Sequence, residues 1–151
     1  YDFNLSVDRI RAAVESCRDK PFLLTAGADN FISGRPDLGD TIARLQAFSN
    51  AGADVLYAPG LPDLQSIETL CRHVDKPVNV VMGLSGPTWS VAELQNAGVK
   101  RISVGGSLAR AALGAMVRAA NEVLEQGTFN FASQALSHAE ASNLVRPKGI
   151  R

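Results

Sequence analysis

Apolar positions along this chain follow two rhythms. In residues 5–18, Val7, Ile10, Ala13, Val14 and Cys17 recur at helical spacing, with charges on the opposite face. Four other runs are short, apolar and nearly without alternation: 22–26, 55–58, 78–82 and 101–104. Each ends in small or polar residues, and each leads into a helix-like stretch. Strands buried on both faces of a parallel sheet read this way. Consecutive runs start 23 to 33 residues apart, which is the length of a βα unit.

Boundary residues sharpen the helices. Ser6 is a candidate cap for 5–18, and Asp19-Lys20-Pro21 ends it. Residues 37–50 place Leu38, Ile42, Leu45 and Phe48 on one face and run through Ala51-Gly52-Ala53-Asp54 into the second strand. A helix from Pro62 or Asp63 to His73 precedes the third strand. Ser90-Val91-Ala92-Glu93 fits a capping box for a helix over 90–96. Ala97-Gly98-Val99-Lys100 then repeats the earlier Ala-Gly joint, a structural repeat. A long helix is predicted over 108–126, closed by Gly127. One more is predicted over 129–143, followed by a tail at 145–151.

The predicted fold is α/β: parallel βα units, four in number, plus a trailing helix. Eight such units close a (β/α)₈ barrel of the TIM type, so four make half of one. An open doubly wound sheet gives the same apolar pattern. The chain of 151 residues reads as one segment. Because it begins at Tyr1 rather than Met, it is read as the C-terminal half of a barrel enzyme, with the N-terminal half outside it.

Charge and cysteines narrow the function. Fifteen basic residues balance fifteen acidic ones, which argues against a nucleic-acid or acidic-membrane partner. No apolar run approaches the roughly 20 residues needed to span a bilayer. Cys17 and Cys71 have no metal-ligand spacing and read as free thiols of a reducing, cytoplasmic compartment.

In a βα protein the working groups sit at the C-terminal ends of the strands. That rule selects Thr25, Gly27, Asp29 and Asn30 after the first strand, and Tyr57, Pro59 and Gly60 after the second. Asn79, Met82, Gly83 and Ser85 go with the third, and Ser103, Gly105, Gly106 and Ser107 with the fourth. Asp54, Asp75 and Lys100 precede strands and fall on the opposite, structural rim. Asp29 and Asn30 could hold a cation's water shell or a substrate hydroxyl, or could close an Asx-type loop on their own backbone. Asn79 lies inside an apolar strand and needs a hydrogen-bond partner, from substrate or structure. Gly105-Gly106-Ser107 opens a helix, so its N–H groups could meet an anion or simply permit a tight turn. Arg35 could reach an anionic substrate, or pair with Asp37 or Asp40. His73 and His138 have no neighbouring nucleophile or ligand and read as surface residues.

Several segments together resemble the isocitrate lyase/phosphoenolpyruvate mutase superfamily. They are Thr25-Ala26-Gly27-Ala28-Asp29-Asn30-Phe31, Gly34-Arg35-Pro36-Asp37-Leu38, Ala51-Gly52-Ala53-Asp54-Val55-Leu56-Tyr57-Ala58-Pro59-Gly60-Leu61, Lys76-Pro77-Val78-Asn79-Val80 and Arg101-Ile102-Ser103-Val104-Gly105-Gly106. The resemblance implies a (β/α)₈ barrel whose last helix is exchanged in a homo-oligomer; here that is the helix beyond Phe129. It implies a Mg²⁺-dependent lyase or mutase acting on small 2-oxo or enolate-forming carboxylic or phosphonic acids. Its reactions are C–C cleavage, decarboxylation or P–C rearrangement. Substrate-binding residues would be Thr25, Gly27, Asp29, Asn30, Tyr57, Pro59, Asn79, Gly105 and Gly106, with Asp29 able to reach the metal through water.

Two departures stand out. Members of the superfamily carry Thr-Ala-Arg-Ala-Glu-Asn where this chain has Gly27 and Asp29, and the missing arginine would grip the substrate anion bidentately. The superfamily's metal-holding acids and mobile loop belong to the half of the barrel that this chain does not match. A catalytically silent binding or assembly module is therefore an alternative, as is another phosphate-binding barrel enzyme argued from Gly105-Gly106-Ser107.

Overall fold

Four strands, β1 (Thr25–Gly27), β2 (Val55–Tyr57), β3 (Val78–Val81) and β4 (Arg101–Ser103), pair in parallel and in sequence order in the computed structural model of the chain. The structure describes residues 1–84 and 86–146. Ser85 and residues 147–151 of the expected tail lie outside the described residues. The chain divides into two units, Tyr1–Leu108 and Ala109–Arg151.

The order β1-β2-β3-β4 separates the two candidate architectures. A doubly wound sheet reverses its strand order and carries helices on both faces. Right-handed crossovers between strands taken in order put every connecting helix on the same face. These helices are α2 (Leu38–Asn50), α3 (Leu64–His73) and α4 (Val91–Asn96), preceded by α1 (Phe3–Cys17). Burial shows the consequence. Ala26, Ala28, Leu56, Ala58, Val78 and Val80 share one sheet face and form the core with Leu45, Phe48, Ile67, Leu70 and Leu94. Each fully buried Leu or Ile contributes about 1.5–3 kcal/mol, so the helix-covered face organises the unit. The fold is a partial (β/α)₈ barrel, and the other sheet face is the one that would line the barrel interior.

Both Ala-Gly joints close their helices identically. Ala53 N–H bonds the Phe48 carbonyl and Gly52 N–H that of Ser49, at 3.1 and 2.9 Å. Val99 N–H bonds Leu94 and Gly98 N–H bonds Gln95, both at 3.0 Å. This is the Schellman pattern. Gly52 and Gly98 have φ of 107° and 96°, and their α-carbons lie against Val14 of α1 and Cys71 of α3.

Several boundaries differ from expectation. β1 is Thr25–Gly27, not 22–26, and Phe22 and Leu23 are exposed. The reason is register: Thr25 pairs with Val55, the first residue of β2, so the Ala-Gly joint leaves no strand opposite Phe22. Asp54 ends the pairing there, its carboxylate accepting from Leu24 N–H at 2.8 Å. β2, β3 and β4 each stop one residue earlier than expected, at Tyr57, Val81 and Ser103. α1 begins at Phe3 because Asp2 is its cap, accepting from Leu5 N–H at 2.9 Å, and Ser6 lies inside the first turn.

The second unit also departs from the expected pair of long helices. α5 (Ser107–Asn121) continues into a π-helical turn, Glu122–Gln126, before left-handed Gly127. The Glu122 carboxylate then accepts from Thr128 Oγ1, Asn130 N–H and Phe131 N–H. Those bonds hold a 3₁₀ turn, Asn130–Gln134, in place of a helix start. α6 (His138–Val145) begins later, behind a Ser137–Glu140 capping box. α5, both short turns and α6 bury no residue.

Candidate active site

Parallel pairing places Gly27, Tyr57, Asn79 and Arg101 in one row across the sheet. Side chains alternate faces along a strand, and Ala26, Leu56, Val78, Val80 and Ile102 face the helices. The row therefore lies on the open face, with Thr25 and Val55 below its first two members and Val81 and Ser103 above its last two. This face carries the polar groups of the sheet.

Asn79 is 2% exposed. Its Oδ1 accepts from an Arg101 guanidinium N–H at 3.0 Å, and its Nδ2 donates to Ser103 Oγ at 3.1 Å. The partner of this buried amide is thus structural on both sides. Sequence reasoning did not single out Arg101 as a site residue. The alternation Arg101-Ile102-Ser103, polar on one face and apolar on the other, was the available signal.

At the C-terminal end of β1 the chain splits the Asp29–Asn30 pair. Asn30 is buried and turned toward α2, donating to Asp40 Oδ2 at 2.6 Å, and Arg44 Nε meets the same oxygen at 2.7 Å. Asp29 is exposed and lines a 230 Å³ hollow with Gly27, Ser33 and Arg35. Arg35 forms no ion pair with Asp37 or Asp40 within 4 Å; Asp37 instead caps α2, accepting from Asp40 N–H. Tyr57, Pro59 and Gly60 line a larger cavity of about 390 Å³ at the ends of β2 and β3, walled by Ile32, Leu61, Leu84 and Trp89. Burial, with the negative charge of Asp29 adding to it, pushes the Tyr57 phenol above its ordinary value. Tyr57 is therefore a protonated donor at neutral pH.

Beyond β4, Gly105 takes a left-handed φ of 50° and Gly106 has open space above it. The loop after β3 comes close: a side chain on Gly83 would reach Ser107 Oγ within 2.7 Å. On the opposite rim, Asp75 accepts from Ser49 Oγ at 2.6 Å, as Asp54 does from Leu24.

The Asp40 hydrogen bonds give a pH prediction. Those from Arg44 and then Asn30 hold its carboxyl below the usual carboxylate range. A carboxyl depressed in the folded state stabilises above its unfolded pKa, and that contribution is lost as pH falls through the folded value. Asp40→Asn is expected to lower stability at pH 6, and the gap from the parent should close below about pH 4. Urea unfolding at pH 6 and pH 3 checks this; an equal gap at both contradicts it.

Among the described residues no three His, Cys, Asp or Glu side chains gather closely enough to hold a metal ion. Among the described residues no helix is long and apolar enough to cross a membrane.

A family model described as phosphoenolpyruvate phosphomutase matches residues 1–124. Among curated proteins, a probable 2-methylisocitrate lyase of Corynebacterium glutamicum is 28% identical over 126 residues, 82% of this chain and 40% of that protein. The 2-methylisocitrate lyase of Escherichia coli is 32% identical over 96 residues, 62% of this chain and 31% of that one. A crystal structure from Burkholderia cenocepacia, named only as a candidate lyase/mutase, is 52% identical. It superposes with a TM-score of 0.91 over 97% of this chain and 54% of its own. Structurally characterised 2,3-dimethylmalate lyase, 23% identical, shares the fold with a TM-score of 0.80. The chain spans less than half of these curated relatives and about half of the solved structures.

Proposed function

Since the chain belongs to the phosphoenolpyruvate phosphomutase family, we propose that its open sheet face is one wall of a lyase or mutase site for a small 2-oxo or enolate-forming acid. The observation that carries this reading is the row Gly27–Tyr57–Asn79–Arg101, with Ser103 above it. A neutral phenol, a hydroxyl and a guanidinium line one face, while the other face is wholly apolar. The phenol and the hydroxyl are donors for a carboxylate and a developing enolate oxygen, the guanidinium adds positive potential behind them, and together they would lower the cost of that charge.

The reaction falls among C–C cleavage, decarboxylation and P–C rearrangement. Relatives named as 2-methylisocitrate lyases favour cleavage. Mg²⁺ belongs to this proposal as a Lewis acid that stabilises oxyanions. The described residues do not make a site for it by themselves. Asp29 is the carboxylate beside Gly27 that could meet it through water, and the remaining ligands would come from outside this chain.

The segment after Leu108 has its own part in the proposal. Leu113, Met116, Val117, Leu124, Phe129, Leu136, Leu144 and Val145 are exposed. An apolar surface of this extent marks an interaction site, and we assign it to exchange between copies of the protein. Co-expression with the N-terminal half of a related barrel tests both parts. The expected product is at least dimeric in this chain by light scattering and cleaves or decarboxylates a 2-oxo or hydroxy acid with Mg²⁺. A well-folded complex without turnover on any such acid favours a silent binding module. A complex holding one copy of this chain overturns the exchange.

A further inference from the structure

Arg101 has no carboxylate within 4 Å among the described residues; its recorded side-chain bond goes to a neutral amide. A guanidinium only donates. Asn79 must therefore turn Oδ1 toward Arg101, which settles the amide's orientation. Nδ2 then points to Ser103 and donates to Oγ. With that lone pair occupied by an incoming N–H, the Ser103 proton is free to point away from Asn79. Arg101, Asn79 and Ser103 form a chain of hydrogen bonds with every donor aimed the same way, from the base of β4 toward its C-terminal end. Such chains polarise cooperatively, and a cation at their head strengthens each link.

We propose that Arg101 is a positioning residue, which acts through Asn79 to present the Ser103 hydroxyl as a hydrogen-bond donor to an anionic oxygen of the ligand. The ligand is a carboxylate or enolate-type anion at the strand ends, so the proposal rests on the lyase/mutase reading above. It also gives the site a source of positive potential that does not require an arginine at position 27. The strand register supports this, since Arg101 sits in the same row as Gly27, three strands away.

The test uses the chain itself, oxalate as the probe, and the variants Arg101→Met, Arg101→Lys, Ser103→Ala and the double variant Arg101→Met with Ser103→Ala. Without ligand, one Asn79 Nδ2 proton should exchange slowly by NMR in the parent and Arg101→Lys, and rapidly in Arg101→Met. Calorimetry should show oxalate binding about tenfold weaker in Arg101→Met and in Ser103→Ala. The double variant should be no weaker than about twofold beyond either, because Arg101 acts through Ser103. Multiplying losses in the double variant would mean that Arg101 touches the anion directly, and would overturn the proposal. So would an Asn79 amide unmoved in Arg101→Met. No oxalate binding by the parent, with the amide response intact, overturns the ligand role and traces the failure to the functional reading rather than to the chain of hydrogen bonds.

Discussion

Gly52→Val is expected to destabilise the chain by about 2–4 kcal/mol, lowering its melting temperature by roughly 10 °C. Two independent costs add. The φ of 107° lies outside every region open to a β-branched residue. A Cβ there would also sit 2.9 Å from Val14 Cγ1, in the contact between α1 and the end of α2. Neither can relax without moving the Schellman turn that feeds β2. Gly34→Val separates the terms: Gly34 has a φ of 73° but nothing within 4 Å, so only strain remains, at about 1 kcal/mol. Chemical unfolding of both variants checks the ranking. A Gly52→Val chain within about 1 kcal/mol of the parent would show that the joint is not a fixed point of the βα repeat.

The second large effect is a gain. Gly27→Arg is expected to tighten oxalate binding by about tenfold or more, since a bidentate guanidinium–carboxylate pair is among the strongest polar contacts. The position admits a side chain. Gly27 is not in a positive-φ conformation, and an added Cβ would meet Asp29 Oδ1 and Tyr57 Cδ1 at an ordinary 3.7 Å. It projects from the open face, in the row of Tyr57 and Asn79. Gly27→Gln, which adds bulk without charge, should change affinity little. Calorimetric titration of the three proteins decides. Equal affinity of Gly27→Arg and the parent would mean that the anion does not reach this end of the row.

The order of elements was legible because each buried parallel strand leaves a short apolar run, and each Ala-Gly joint leaves a glycine where only glycine fits. Strand ends were less so. Phe22 and Leu23 look like strand residues, but pairing depends on where the neighbouring strand begins, some thirty residues away. The break in the expected last helix follows from Glu122 capturing the N–H groups of Asn130 and Phe131, a contact that periodicity does not encode. Ser137-x-x-Glu140, in contrast, was a readable capping box inside the span assigned to one helix.

The site divides along the same line. The strand-end rule selected Gly27, Tyr57 and Asn79, which the register brings into one row. It also selected Asn30, which lies in the turn beyond β1 and donates its amide to Asp40 of α2. Arg101 escaped because a charged residue at a strand start reads as a rim residue until its neighbours on the sheet are known. Its role depends on Asn79, 22 residues earlier.

Oxalate binding mapped onto the two sheet faces shows which of them is the wall of the site. In a methyl- and ring-labelled chain titrated with oxalate, the Val81 methyls and the Tyr57 ring should shift with one common dissociation constant. The Leu56 and Leu45 methyls, on the helix-covered side, should stay in place. Shifts confined to the helix side, or no shift on the open face at saturating oxalate, would contradict the assignment of that face as the wall of the site.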